Sequence, residues 1–442
     1  MGLAPEGYRH RLIEKELNKQ MRAFGGIVIE GPMWCGKTWL GMNASESYFE
    51  IGNVDEYGQS NRELVDMNVR IAMEGKKPHL IDEWQDVPKL WDAVRSDLDR
   101  SHEKGKYILT GSSTPKKNKP VHSGTGRIKH LRMRTMSLYE SGDSTGEVSL
   151  KDIIEGRAPE LVGQGTNLEH LVDLTMSGGW PGNLGLPYED RINSVRGYLE
   201  SVIAKASELD GIHRKESNLW MVARSLARNE STLADVTKIH NDTGVPMGPG
   251  APLILDENII ADDVPLSYDT VTDYLDVFDR LFQIDNQPAF DPNLRSSIRV
   301  GKRVKRHITD PSLGIAALDI GKERLMKDLK TYGFFFEALC ERDLGIYART
   351  FGAKQYHYRD DSGTEVDSVI EMPDGSYTAI EIKLGANKIE EGASSLKKFK
   401  QKMENHKARS VPCALCVVCG LTDRAYIRDD GVYVVPITML GP

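Results

Sequence analysis

Two short stretches carry residues whose types and spacing do chemistry. The first is GPMWCGKT, residues 31–38, in which Gly31 and Gly36 bracket four residues and are followed at once by Lys37 and Thr38. Glycines there let backbone N–H groups close round phosphates, the lysine neutralises the β and γ phosphates, and the threonine hydroxyl reaches Mg²⁺. The expected nucleotide contacts are Gly31, Pro32, Met33, Trp34, Cys35, Gly36, Lys37, Thr38 and Trp39, and Cys35 would expose the loop to thiol modification. The second stretch is TAIEIKLG, residues 378–385, with Glu381 and Lys383 two positions apart between Ile380, Ile382 and Leu384. On a strand the isoleucines face one side, and the carboxylate and ammonium face the other. That pair is either a solvated salt bridge or half of a metal-dependent active site.

A phosphate loop needs a second group for magnesium and a base for water. PHLIDEWQ, residues 78–85, supplies both. Asp82 ends a short apolar strand, where it would hold the Mg²⁺ hydration shell, and Glu83 would polarise the attacking water. KYILTGSS, residues 106–113, adds Thr110 and Ser112 as hydroxyls able to sense the γ-phosphate. Arg127 follows a glycine-rich loop; it is either an arginine that reaches a nucleotide on the same or a neighbouring subunit, or a plain surface residue. Strand and helix patterns alternate here, which predicts an α/β domain with a mainly parallel sheet and its ligand at the strand carboxyl ends.

Near the C-terminus, Asp367 lies in TEVDSVIE, residues 364–371, and PDG, residues 373–375, joins that stretch to TAIEIKLG. A two-residue loop would set Asp367 opposite Ile382, and a three-residue loop would set it opposite Glu381. Pro-Asp-Gly suits the three-residue form, with proline fixing φ at the first position and glycine accepting positive φ at the third. Asp367, Glu381 and Lys383 should then converge, with Glu337 of FFFEALCERDL completing the set from a helix. Two carboxylates so close repel unless a divalent cation lies between them, and Lys383 would orient a water or stabilise a pentavalent phosphate. The expected metal ligands are thus Thr38 and Asp82 at one site and Asp367 and Glu381 at the other. The alternative is a carboxylate and lysine network that holds the sheet. Cys413, Cys416 and Cys419 fall in an apolar β run and read as buried strand residues.

The elements between these sites are helical and then extended. SNLWMVARSLARNE, STLADVTKIHND with a Ser/Thr cap, and LSYDTVTDYLDVFDRLF starting at Ser267 have helical spacing, and LFQIDNQPAF reads as a strand. Three helices and a β wing predict a winged-helix unit. Its last helix carries Asp269, Asp273, Asp276 and Asp279, which phosphates repel, so packing or subunit contact is favoured over DNA reading.

The chain has 442 residues, 39% apolar and 28% charged, with a net charge of −8. That length requires two or three domains, and the charge excludes a polycation that coats DNA. Basic runs at 295–307 and 397–409 read as phosphate contacts or solvated faces, and 111–126 and 243–252 read as loops. Five cysteines, no apolar run of bilayer length and no signal peptide behind MGLAPEGYRHRL point to a soluble cytoplasmic protein with no membrane partner.

GPMWCGKT, LIDEWQ, ILTGSS and the GR before RMRTMSLYESGDS together resemble the AAA-type ATPases of bacteria and archaea that carry a C-terminal domain of unknown function. The likeness continues through GGWPG at 178–182, DPSL at 310–313 and YHYRDDSGTEVDSVIE at 356–371. It implies ATP and Mg²⁺ as cofactors, slow hydrolysis and a homo-oligomer, with Lys37, Thr38, Asp82 and Glu83 matching the ATP site. An acid, then an acid, one residue and a lysine on adjoining strands resemble the restriction-endonuclease-like core. The expected architecture is therefore an AAA-type P-loop ATPase domain at 1–150, a helical and winged-helix region at 151–295, and a restriction-endonuclease-like α/β domain at 296–442. Two functions follow. One is an ATPase whose C-terminal domain acts on or binds nucleic acid, with Glu337, Asp367, Glu381 and Lys383 catalytic; the other is a nucleotide-dependent switch or assembly factor whose inert C-terminal domain binds DNA or a protein.

Overall fold

The computed structural model describes residues 3–54, 58–114, 124, 126–157, 161–163, 165–244, 265–293, 303–405 and 410–442. Two compact units divide the chain. The first comprises Met1–Met136 with Trp180–Gly182 and Arg280–Phe282, and the second comprises Ser137–Gly179, Asn183–Asp279 and Gln283–Pro442.

The first unit is built on β1 (Gly26–Glu30), β2 (Ser47–Glu50), β3 (His79–Asp82), β4 (Tyr107–Gly111) and β5 (Ile128–Arg132). All pair in parallel in the order β2-β3-β4-β1-β5. Strand alternation splits the apolar residues between two faces. Ile27, Ile29, Leu80 and Ile108 pack with Leu17 and Leu40, whereas Val28, Ile81 and Leu109 pack with Trp84, Trp91, Val94 and Leu98. Covering both faces is what a parallel sheet requires, and it leaves the strand carboxyl ends as the place for polar chemistry.

The second unit holds seven further strands in one sheet: β7 (Leu161–Val162), β8 (Lys354–Arg359), β9 (Glu365–Glu371), β10 (Tyr377–Gly385), β11 (Ala414–Leu421), β12 (Arg424–Ile427) and β13 (Tyr433–Pro436). Their order is β7-β12-β13-β11-β10-β9-β8. The pairs β8/β9 and β9/β10 are antiparallel, and β10/β11 and β11/β13 are parallel. Helix Leu329–Thr350 precedes β8, and helix Ile389–Asn405 crosses from β10 to β11. Two short strands, β6 (Val148–Ser149) and β14 (Leu440–Gly441), pair in parallel.

A buried ion network ties the distant sequence motifs of this unit together. Asp310 caps helix Pro311–Ala317 and accepts from the Gly179 N–H at 3.0 Å and from Arg342 Nη1 at 2.9 Å. Arg342 also pairs with Asp343, whose other oxygen accepts from the Leu138 N–H at 2.9 Å. The GG of GGWPG, the DPSL stretch and the residues after RMRTM therefore meet on helix Leu329–Thr350.

The middle helices form at Glu216–Arg228, Val236–Thr243 and Tyr268–Arg280. Ser267 caps the last of these, accepting from Thr270 N at 3.1 Å. The second is capped by Asp235 rather than by Ser231 or Thr232, because Ser231 lies in the left-handed region at φ 56°. Asp273 of the last helix binds the buried Arg214, a packing role. LFQIDNQPAF is not a continuous strand. It makes bridges only at Ile284, Gln287 and Ala289, since Phe282 has φ 59° and Pro288 cannot donate to a ladder.

Cys416 and Cys419 lie an odd number of positions apart on β11 and so face opposite sides of the sheet, while Cys413 precedes the strand. The loop at 111–126, the stretch at 243–252 and both basic runs fall wholly or partly outside the described residues. Among the described residues no helix is long and apolar enough to cross a membrane.

Candidate functional site

The phosphate loop runs from β1 into helix Lys37–Asn43, with Gly36 at φ 100° capping that helix. A Cβ on Gly31 would lie 2.3 Å from the Met133 carbonyl oxygen, so only glycine lets the loop pack on the chain leaving β5. The Lys37 ammonium is buried and donates to the Pro32 carbonyl at 2.8 Å, inside its own loop. Trp34 and Trp39 are exposed, whereas the Cys35 side chain is fully buried, which corrects the expectation that its thiol is open to modification.

Because β4 lies between β1 and β3, the loops after the three strands are neighbours. Thr38 Oγ1 donates to Asp82 Oδ1 at 2.8 Å, and the Thr110 hydroxyl donates to that same oxygen. Thr110 also accepts from the Glu83 N–H at 3.1 Å, so it is a strut between the two acids. Ser112 donates to Glu83 Oε2 at 2.8 Å, and Gln85 donates to the same oxygen. Glu83 itself sits at φ 55°, ψ 48°, a left-handed conformation that non-glycine residues adopt at some energetic cost and that recurs at functional sites. Burial pushes the Asp82 carboxyl above the usual range, and the hydroxyls of Thr110 and Thr38 work against that shift.

Arg11 escaped the sequence reading. Its buried guanidinium donates to the Cys35 carbonyl at 2.7 Å and to the Arg134 carbonyl at 2.9 Å, clamping the loop from the N-terminal segment. Nothing in the local sequence marks it, because its partners are backbone carbonyls of distant residues. Arg127 lies elsewhere: it precedes β5, its carbonyl accepts from Gly25 and Gly26 at the start of β1, and its side chain pairs with Asp99. The parallel register puts it at the opposite end of the sheet from Lys37.

The second cluster lies in the C-terminal sheet. The loop after β9 is Pro373, Asp374 and Gly375, closed by Met372 N to Ser376 O at 2.8 Å and Gly375 N to Met372 O at 2.9 Å, with Gly375 at φ 87°. The register pairs Ala379 with Val369 and Ile380 with Ser368, so the next positions are Glu381 and Asp367. There the ladder ends, and Asp367 Oδ2 accepts from Ile382 N at 2.8 Å. Lys383 Nζ lies 2.5 Å from Glu381 Oε2 and 3.8 Å from Asp367 Oδ2. Glu381 is only 4% exposed, so this face of β10 is not solvated as alternation alone suggested. Helix Ile389–Asn405 covers it, with Ser395 donating to Glu381 at 3.1 Å and Gly392 leaving room for the Lys383 stem.

Two members of this cluster were not assigned to it from the sequence. Lys305, taken there as part of a basic run, is 2% exposed; its ammonium binds Glu337 and lies 3.7 Å from Glu341 Oε1 and 3.9 Å from Asp367 Oδ1. Glu341 is one turn on from Glu337 and accepts from Gln287 at 2.9 Å and from Gln355. Four carboxyls thus face two ammoniums. Burial raises Glu337, Glu341 and Glu381, Glu341 to about 8, while their negative field overcomes the burial of Lys305 and Lys383 and holds both charged. Among the described residues no group of three or more His, Cys, Asp or Glu side chains is arranged to hold a metal ion.

Residues 24–141 match the AAA domain family, residues 168–324 a domain of unknown function (DUF8612), and residues 332–440 another domain of unknown function (DUF4143). The chain thus contains an AAA-type P-loop ATPase domain, a nucleotide-binding unit. No curated protein is a significant match to the sequence. Among solved structures, the chain is similar to a Walker-type ATPase of Pyrococcus abyssi, with 12% identity over 72% of this chain and 98% of that one and a TM-score of 0.43. It is also similar to the RuvB Holliday junction branch migration motor of Thermotoga maritima, with 13% identity over 65% of this chain and 92% of that one and a TM-score of 0.26.

Proposed function

We propose that this protein binds and hydrolyses ATP with Mg²⁺ and works as a nucleotide-dependent switch in the cytoplasm, with residues 1–150 as the ATPase domain. The observation that carries the reading is the hydrogen bond of 2.8 Å from Thr38 to Asp82 beside the buried Lys37. One hydroxyl and one carboxylate are the protein ligands that a magnesium nucleotide takes, with phosphate oxygens and water filling the other positions. When bound, the metal ion would neutralise charge developing on the phosphates. Lys37 would exchange the Pro32 carbonyl for phosphate oxygens. Glu83, held by Ser112 and Gln85, would accept a proton from the attacking water, and Thr110 would fix the spacing of the two acids.

Residues 296–442 read as a restriction-endonuclease-like domain, on the chain order of helix Leu329–Thr350, β8, β9, β10, helix Ile389–Asn405 and β11, with acids on β9 and β10. Residues 151–295 read as a helical and winged-helix region, supported by three helices followed by the pairing of 283–287 with 305–309. The C-terminal domain acts here as an inert partner-binding unit, because Lys383 and Lys305 neutralise its carboxylates directly. Convergence of Asp367, Glu381 and Lys383 favours a second reading, metal-dependent cleavage of DNA. Phosphate release from ATP, measured beside DNA cleavage in Mg²⁺ or Mn²⁺, separates the two. The switch turns over ATP without cutting; cleavage that Lys383→Ala abolishes would establish the nuclease.

A further inference from the structure

The carboxylates of the C-terminal sheet invite a divalent cation, yet the position among three of them is filled from within the chain. Lys305 Nζ binds Glu337 on helix Leu329–Thr350 and reaches Glu341 on the same helix at 3.7 Å and Asp367 on β9 at 3.9 Å. It also donates to the Asp367 carbonyl at 3.5 Å. Lys305 is not a surface side chain that has folded inward at a loop tip. Its N–H donates to Gln287 O at 2.9 Å, its carbonyl accepts from Gln287 N at 3.0 Å, and the next residue donates to Thr232 O at 2.8 Å. The backbone therefore aims the ammonium at the acids.

A second observation concerns Glu341, which is 4% exposed. Its Oε2 is bonded to Gln287, but Oε1 is buried, has no hydrogen-bond partner among the described residues and points toward Lys305 across 3.7 Å. A buried carboxyl oxygen without a hydrogen bond is costly, and a cation that approaches more closely than the ammonium would satisfy it.

We propose that Glu337, Glu341 and Asp367 form a divalent-cation site whose resident cation is the Lys305 ammonium, so that a metal ion enters only when Lys305 leaves. The acids then hold no metal while the pairing of Lys305 with Gln287 is intact. Removing the ammonium exposes three buried carboxylates to one another, and a hard divalent ion is the species that relieves them. The proposal deepens the reading of the C-terminal domain as inert, and it stands apart from the ATP site.

The test is Mn²⁺ binding to the full chain without nucleotide, followed by the electron paramagnetic resonance of the free ion. Wild type and Asp367→Asn should bind Mn²⁺ equally. Lys305→Met should gain one bound Mn²⁺ per chain, and Lys305→Met/Glu341→Gln should lose it again. Mn²⁺ binding by wild type that Asp367→Asn removes overturns the proposal, as does a folded Lys305→Met that gains none. If Lys305→Met unfolds, recovery of its circular dichroism in Mn²⁺ supports the exchange, and a chain that stays unfolded at saturating Mn²⁺ contradicts it. Because nucleotide is absent, none of these outcomes bears on ATP binding at Lys37.

Discussion

Thr38 Oγ1 and Asp82 Oδ1 are 2.8 Å apart although β4 separates β3, which ends at Asp82, from β1, which leads into the loop and helix of Thr38. The hydroxyl of Thr110, at the end of that intervening strand, donates to the same carboxylate oxygen. Three segments distant in the chain are thereby drawn to one point at the strand carboxyl ends, with the Lys37 ammonium buried nearby. The helix after the loop begins at Lys37 itself, so its first free N–H groups face the same point.

Glu83 is held by Ser112 and Gln85, both of which donate to one of its carboxylate oxygens. Glu83→Gln keeps the shape and one oxygen able to accept from Ser112 and Gln85, but cannot take a proton. ATP affinity should stay within about twofold, a difference below 0.5 kcal/mol, and turnover should fall by roughly 10²–10⁴-fold. Single-turnover hydrolysis and equilibrium binding, measured on the same preparation, check both; undiminished turnover removes Glu83 from the mechanism.

Arg342 is buried between Asp310 and Asp343. Arg342→Met leaves two carboxylates buried without their counter-ion, while the Gly179 and Leu138 N–H groups supply only part of the compensation. The loss should be about 3–5 kcal/mol. Urea unfolding at neutral pH reads it, and a change below 1 kcal/mol would show that the network adjusts without the arginine.

Glu341 bears on stability through pH. Burial raises its carboxyl from 4.5 to about 8, so between those values the native chain holds a proton that the unfolded chain has released. That stabilisation is fully present below the unfolded value and is lost as pH rises through about 8. Glu341→Gln, which cannot titrate, should remove a slope of up to about 1.4 kcal/mol per pH unit from the wild-type curve. Parallel wild-type and mutant curves from pH 5 to pH 8, as an approximate working window, would contradict the assignment.

Much of the site could be read from local sequence because its determinants are local. Gly31, Gly36, Lys37 and Thr38 sit on one strand–loop–helix turn. Asp82 ends a strand of four residues and Glu83 follows it. The PDG loop sets the register that brings Asp367 across from Glu381, since proline and glycine each supply the backbone angle that position needs. What escaped depends on long-range pairing. Lys305 looks like one charge in a basic run until the backbone at 305 pairs with Gln287 and turns the side chain inward. Glu341 did leave a signal, four residues after Glu337 and so on the same helix face. Of the alternatives open for Arg127, contact with the nucleotide of its own chain does not fit, because a loop before β5 and a loop after β1 lie at opposite ends of parallel strands.

Nucleotide binding by wild type and Lys37→Ala, measured by isothermal titration with ATP and Mg²⁺, tests the central claim most directly. Wild type should bind one ATP per chain saturably, and the mutant should lose at least about tenfold in affinity, or 1.4 kcal/mol. Equal affinity in the two proteins would contradict it.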